Sequence, residues 1–248
     1  MATQDLTFCW NGFVSTDVQA TLAFFPEVVG WNTTTVQMGD NEVVMFSVGE
    51  QVIGHVRGPQ MDGEPSWWNN YLRVADVDVA AAAVVAHGGT VVVPATDIPP
   101  GRFATVATPS GAYFTLFREA GEATPDAEGI GSIHWRELHS KDLDVDLSFL
   151  KGALGFESSV MDMPNGPYHL LNPETEARIG VVAGMHPDAP SMWLAWIHVT
   201  DVDETAGRVE THGGKIVAPA FDVPGVGRLA IASDPAGVVF GVITPPAS

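Results

Sequence analysis

Hydrophobic and polar positions along this chain follow an order that recurs four times. The apolar run Phe8–Val14 reads as a strand, and Ser15 and Asp17 can cap a following amphipathic helix over Val18–Val29, which stops at Gly30-Trp31. Val43–Val48 alternates as a strand should. The order then restarts: Trp68–Val74 is a predicted strand and Asp78–Ala86 a helix stopped by Gly88-Gly89, while Thr90–Val93, Phe103–Ala107 and Tyr113–Phe117 are strands. The second half begins with a strand at Ile133–His139, a helix at Leu143–Leu154 ending in Gly155-Phe156, and a strand at Tyr168–Asn172. It repeats the remaining elements from Trp193 to Ile243. The fold class expected is α+β, built from four βαβββ modules.

Superposing the sequence on itself shows why. Trp10 matches Trp135, Asp17 matches Asp142, Gly30 matches Gly155, and His87-Gly88-Gly89 matches His212-Gly213-Gly214, all 125 positions apart. One added residue near Gly225 then shifts the spacing to 126, pairing Gly101-Arg102 with Gly227-Arg228, Pro109 with Pro235 and Phe114 with Phe240. Matches of glycine, proline and aromatic residues in one register identify residues 8–118 and 133–244 as two copies of one unit. Expected domains are 1–120 and 133–248, with 121–132, rich in Gly, Pro, Thr, Asp and Glu, as linker.

Composition narrows the partners. With 46% hydrophobic residues the chain can bury a core in each half. A net charge of -19 repels nucleic-acid phosphates and anionic lipid, so neither is an expected partner. The start Met1-Ala2-Thr3-Gln4-Asp5 lacks the basic-then-apolar pattern of a signal peptide, and no run approaches a membrane span; the expected location is cytoplasmic. Cys9, the single cysteine, reads as a buried thiol.

Two residue patterns carry a resemblance. One is Trp-x-x-x-x-Ser-x-Asp before a helix ending in Gly-aromatic. The other is Asp-Val-Asp, helix, His-Gly-Gly, strand, Gly-Arg, Pro-x-Gly, strand. Together they resemble the vicinal oxygen chelate superfamily of glyoxalases, bleomycin resistance proteins and extradiol dioxygenases. The resemblance implies two tandem glyoxalase-like paired half-barrel domains, each with a small-molecule cleft. It also implies a pseudo-dimeric monomer, because one chain carries all four modules.

Metal-using members place ligands on the first and last strands of their modules. The matching first-strand positions here are Trp10, Asn69, Trp135 and Leu194. The last-strand positions fall at Gly54 or His55, Thr115, Gly180 or Val181, and Gly241. This is not a donor set for a divalent ion, so no metal and no cofactor is expected.

Alternation along the first strands brings other residues to the same face: Trp10, Asn69, Tyr71 and Arg73 in the first copy, and Trp135, Glu137, His139, Trp196 and His198 in the second. Glu137, His139 and His198 form the sharpest constellation. A carboxylate with two imidazoles suits general acid/base catalysis; a displaced metal site, or mutual hydrogen bonding without chemistry, are the other readings. Trp135, Trp196, Trp10, Asn69, Tyr71 and Arg73 are candidate ligand contacts, Arg73 through hydrogen bonding or cation-π contact. His87, His212, Arg102 and Arg228 read as structural, and alternation leaves open whether Tyr168 or His169 faces inward.

The expected function is that of a metal-independent glyoxalase-like enzyme, a lyase, isomerase or hydroxylase type, acting on a small oxygenated or aromatic molecule in the second domain. The alternative is a bleomycin-resistance-type protein that sequesters such a molecule.

Overall fold

The computed structural model describes residues 6–38, 41–60, 62–121, 127–163, 166–172, 174–175, 178–184, 186 and 188–246. The N-terminal five residues and positions 122–126 of the expected linker lie outside them.

The four modules appear in the predicted order. The first contains β1 (Phe8–Val14), α1 (Val18–Val29), β2 (Asn32–Met38), β3 (Asn41–Val48) and β4 (Gln51–Arg57). The second contains β5 (Trp67–Arg73), α2 (Val77–Ala86), β6 (Thr90–Ile98), β7 (Gly101–Ala107) and β8 (Tyr113–Glu119). The third runs β9 (Ile133–Ser140), α3 (Leu143–Phe149), β10 (Ser158–Met163), β11 (Gly166–Leu171) and β12 (Ile179–Ala183). The fourth runs β13 (Met192–His198), α4 (Val202–Thr211), β14 (Lys215–Val223), β15 (Gly227–Ser233) and β16 (Val239–Thr244). Each repeat forms one eight-stranded sheet, ordered β2-β3-β4-β1-β5-β8-β7-β6 and β10-β11-β12-β9-β13-β16-β15-β14. This is the architecture of two tandem paired half-barrels.

Local chemistry sets the helix limits. Asp17, Asp76, Asp142 and Asp201 each accept a backbone N–H three residues on, from Ala20, Val79, Val145 and Glu204. Such caps satisfy an otherwise orphaned donor and are worth about 1 kcal/mol each. Gly30 and Gly155 close their helices in the left-handed conformation that glycine adopts without strain. The predicted helix Leu143–Leu154 is α-helical only to Phe149; Leu150–Leu154 winds as a π-helix. The widened turn coincides with Gly152, where a Cβ would overlap the imidazole of His87.

Two compact units form, and each takes one module from each repeat. The first comprises residues 1–10, 69–125 and 135–193; the second 11–68, 126–134 and 194–248. The core of the first joins Leu72, Val84, Phe114 and Leu116 to Leu138, Phe149, Leu150 and Val181. In the second, Phe13, Phe24, Phe25 and Trp31 meet Ile197, Val209, Phe240 and Val242, with Phe25 stacked on Trp31 at 4.8 Å. Burial of each such side chain contributes roughly 1.5–3 kcal/mol, so these shared cores dominate cohesion. Among the described residues no helix is long and apolar enough to cross a membrane.

Candidate functional site

In the first unit Leu138 and Val181 face the helices, so Glu137, His139 and their cross-strand neighbour Gly180 share the opposite face. β11 obeys the same rule: His169 pairs with core-facing Val181, whereas Leu170 pairs with Gly180. The choice between Tyr168 and His169 is thereby resolved, since Tyr168 shares the face of Glu137.

Four side chains meet there. His139 Nε2 lies 2.7 Å from Glu137 Oε1. The approach is not aligned with the ring N–H, and neither ring nitrogen makes a well-directed hydrogen bond. The Tyr168 hydroxyl accepts a 2.7 Å hydrogen bond from Trp135 Nε1 and lies near enough to feel the charge of Glu137. The phenol fits because Gly180 has no Cβ; any side chain there would overlap the Tyr168 hydroxyl. Burial pushes the Tyr168 phenol far above its ordinary range, and the nearby charge of Glu137 pushes it further; the Trp135 N–H offsets this only in part. The phenol is therefore neutral and a hydrogen-bond donor near neutral pH. Glu137 keeps 11% of its side-chain surface exposed while both His139 ring nitrogens are covered, so a ligand reaching this face would meet the carboxylate first.

The other expected residues lie elsewhere. His198 belongs to the second unit, where its ring lies 5.6 Å from that of His134. Trp196, on the same face of β13 as His198, is buried and fills the space left by the missing side chain of Gly241. In the first repeat Asn69 accepts from the Thr115 hydroxyl at 2.9 Å, and Thr115 touches Thr105. Tyr71 packs edge-on against Phe117. Arg73 is clasped by both oxygens of Glu119, at 3.0 and 2.9 Å, and by Thr7; an anionic ligand would have to compete with that carboxylate. Trp10 is half-buried. The paired hairpin arginines are surface staples, Arg102 to Asp78 and Asp97 and Arg228 to Asp203 and Asp222.

Sequence reasoning left Tyr168 undecided against His169 and missed His134 and Glu119. The signal for Tyr168 was available: a glycine on the last strand beside a large polar residue on the first leaves a volume that something else must fill.

A family model described as the Glyoxalase/Bleomycin resistance protein/Dioxygenase superfamily matches residues 10–116 and 132–242. The chain belongs to this superfamily. Its relatives include "Putative glyoxylase CFP32" of Mycobacterium tuberculosis, 31% identical over 95% of this chain and 94% of that protein. Another is the anthracycline biosynthesis protein DauV of a Streptomyces species, 27% identical over 94% of this chain and 91% of that one. The Mn(II)-bound glyoxalase of Novosphingobium aromaticivorans shares the fold, with a TM-score of 0.65 at 21% identity, covering 97% of this chain and 83% of that one. Members of the family act on or bind small molecules.

A divalent metal of the kind held by that glyoxalase does not fit the residues present. Strand register places His55 and Gly180, not Gly54 and Val181, on the faces in question. The last-strand positions of the second repeat are glycines whose space is taken by Tyr168 and Trp196. Its first-strand positions hold Trp135 and Leu194. Among the described residues no three His, Cys, Asp or Glu side chains converge as a metal site would require.

Proposed function

We propose that this protein is a metal-independent member of its superfamily that transforms a small, flat, oxygenated molecule, and that the second repeat carries the chemistry. One observation supports the reading most: a carboxylate in 2.7 Å contact with an imidazole, next to a half-buried phenol. Glu137 is the acid/base group that meets the ligand, and His139 stabilises its charge changes from behind. Trp135 and Tyr168 form an aromatic wall. His198 is a further acid/base candidate in the other unit. Trp10, Asn69, Tyr71, Arg73 and Trp196 are candidate ligand contacts. Similarity to a protein of anthracycline biosynthesis accords with a flat aromatic ligand. We read the chain as two domains, 1–120 and 133–248, in a monomer located in the cytoplasm.

The covered nitrogens of His139 favour a second reading, a binder that sequesters its ligand without turnover. One experiment separates the two: a thermal-shift screen of aromatic ketones and phenols with chelator present, followed by turnover assays on the hits. Enzyme function predicts turnover without metal, reduced about 10²-fold or more in Glu137→Gln with modest loss of binding. Binding without turnover supports sequestration, and activity abolished by chelator overturns metal independence.

A further inference from the structure

A row of buried polar side chains in the first repeat has no part in the chemistry assigned to the second. Leu72, Ala104 and Leu116 point into the core of the first unit, so Asn69, Tyr71, Thr105, Thr115 and Phe117 share the opposite face of β5, β7 and β8. Thr115 donates to Asn69 Oδ1 at 2.9 Å, and its hydroxyl lies 3.1 Å from that of Thr105. Since the Thr115 proton is committed to Asn69, the Thr105 hydroxyl is the donor in the second contact. The chain therefore runs one way, Thr105 to Thr115 to Asn69, each link polarising the next. It ends at the Asn69 carboxamide nitrogen, whose N–H groups have no partner among the described residues although the residue is only 5% exposed. Unlike the sealed carboxamide of Asn70 on the core face, this nitrogen is reached by solvent. A donor so placed costs free energy unless something accepts from it.

The second repeat shows that the fold does not require this row. Thr115 is flanked across the strands by Tyr71 and Thr105, and its counterpart Gly241 by Trp196 and Ile231. Leu194 stands where Asn69 does, and the Trp196 ring fills the space that Gly241 leaves. The same strands thus pack with an apolar set in one copy and a polar chain in the other. We infer that Asn69 is the donor at the floor of a second ligand site, in the first repeat, which takes a neutral carbonyl oxygen borne on an aromatic ring. Tyr71 and Phe117, which meet edge-on at 5.7 Å on the same face, supply the aromatic surface for that ring. The chain offers an N–H and no formal charge, and Arg73, next along this face, is held by Glu119; a carboxylate would lose its water without gaining a counter-ion. The inference rests on the reading of this protein as one that takes up small aromatic molecules, and it holds whether or not Glu137 is catalytic.

Three probes of nearly one shape test the site: acetophenone, α-methylstyrene, in which a methylene replaces the oxygen, and benzoate, which carries a charge. In uniformly ¹⁵N-labelled full-length protein the side-chain amide signals of Asn69, assigned by their absence from Asn69→Leu, report binding at the floor directly. Acetophenone is expected to shift them saturably and to bind about tenfold more tightly than α-methylstyrene, the worth of one hydrogen bond to a buried donor. Asn69→Leu, which installs the residue of the second repeat, is expected to remove that preference while α-methylstyrene binds as before. Thr115→Val breaks the chain, serves as a second variant should Asn69→Leu not fold, and is expected to weaken the preference severalfold. No saturable shift at Asn69, equal affinity for acetophenone and α-methylstyrene, or a preference that survives in the variants overturns the inference. Tighter binding of benzoate overturns it too, by making this an anion site. Carbonyl binding at Asn69 with no turnover of any compound leaves the inference standing and defeats the catalytic reading of Glu137; turnover lost in Glu137→Gln, without carbonyl binding at Asn69, does the reverse.

Discussion

The two compact units solve the same packing problem with their polar groups exchanged between partners. In the first unit Glu137 stands on the opening strand of its module and Gly180 faces it from the closing strand. In the second, Gly12 stands on the opening strand and His55 faces it. The buried carboxylates beneath the helix starts are exchanged in the same way. Asp146, on α3, accepts from Ser140 at 2.7 Å, from the Ser110 backbone at 3.3 Å and from the Ser110 hydroxyl. Its counterpart on α1 is Thr21, which donates at 2.5 Å to Asp234, in the turn after β15. Asp234 also accepts from the Val238 backbone at 2.8 Å, a task its own counterpart Thr108 performs with a hydroxyl on Ala112. Each junction thus keeps one carboxylate, supplied from opposite sides. What the duplication has preserved at these junctions is one buried carboxylate and its hydrogen-bonding task, not the residue at each position.

The largest expected effect comes from spoiling one exchange. Thr21→Asp sets a second buried carboxylate against Asp234, whose carboxyl is already raised by burial, and should cost roughly 3–5 kcal/mol in urea unfolding. Combining it with Asp234→Thr copies the arrangement of the first unit and should recover most of that loss. A double variant no better than the sum of the singles would show that the junctions are not interchangeable.

A smaller effect tests the strand pair. Gly180→Ala forces the Tyr168 hydroxyl out of its seat and should destabilise by about 1–3 kcal/mol through overpacking, with the tyrosinate transition moving to lower pH as the phenol loses burial. Full stability with an unchanged titration curve would mean that the phenol is not lodged there.

The smallest effect concerns acid. Burial and the nearby charge of Arg57, itself paired with Glu64, push the His55 imidazole down to about 4. A folded-state value below the unfolded one means that the neutral ring contributes fully above pH 6.5 and that the contribution is lost as pH falls through about 4. His55→Gln should therefore flatten the loss of stability across that window by about 1 kcal/mol; an identical pH profile would place His55 outside the acid response.

Much of this was legible in the chain itself. Trp10 and Trp135, the capping Asp17 with its match Asp142, and the two Gly-aromatic stops marked the repeats, because periodicity and capping are local. Glu137 and His139 were found through alternation on a single strand. Tyr168 stayed undecided against His169, because its place depends on the pairing of β11 with β12, and sequence carries no register across a loop. The Arg73–Glu119 clasp escaped for the same reason, joining β5 to β8 over 46 positions. The tail of α3 was predicted as α-helix because a π-turn leaves the hydrophobic periodicity nearly intact over five residues.

The sharing of each core between repeats has a consequence for inheritance. Phe114, Leu116 and Val84 of the first repeat pack in the same cluster as Leu138 and Phe149 of the second, beneath the strand that displays Glu137. Gly89 leaves room for the Phe149 ring, which a Cβ would meet at 2.8 Å. The first repeat therefore supplies part of the core on which the strand displaying Glu137 rests, whatever groups it offers on its own surface. A chain cut back to the second repeat alone would leave Leu138 and Phe149 without the apolar partners that cover them, so neither copy is inherited as a self-sufficient half.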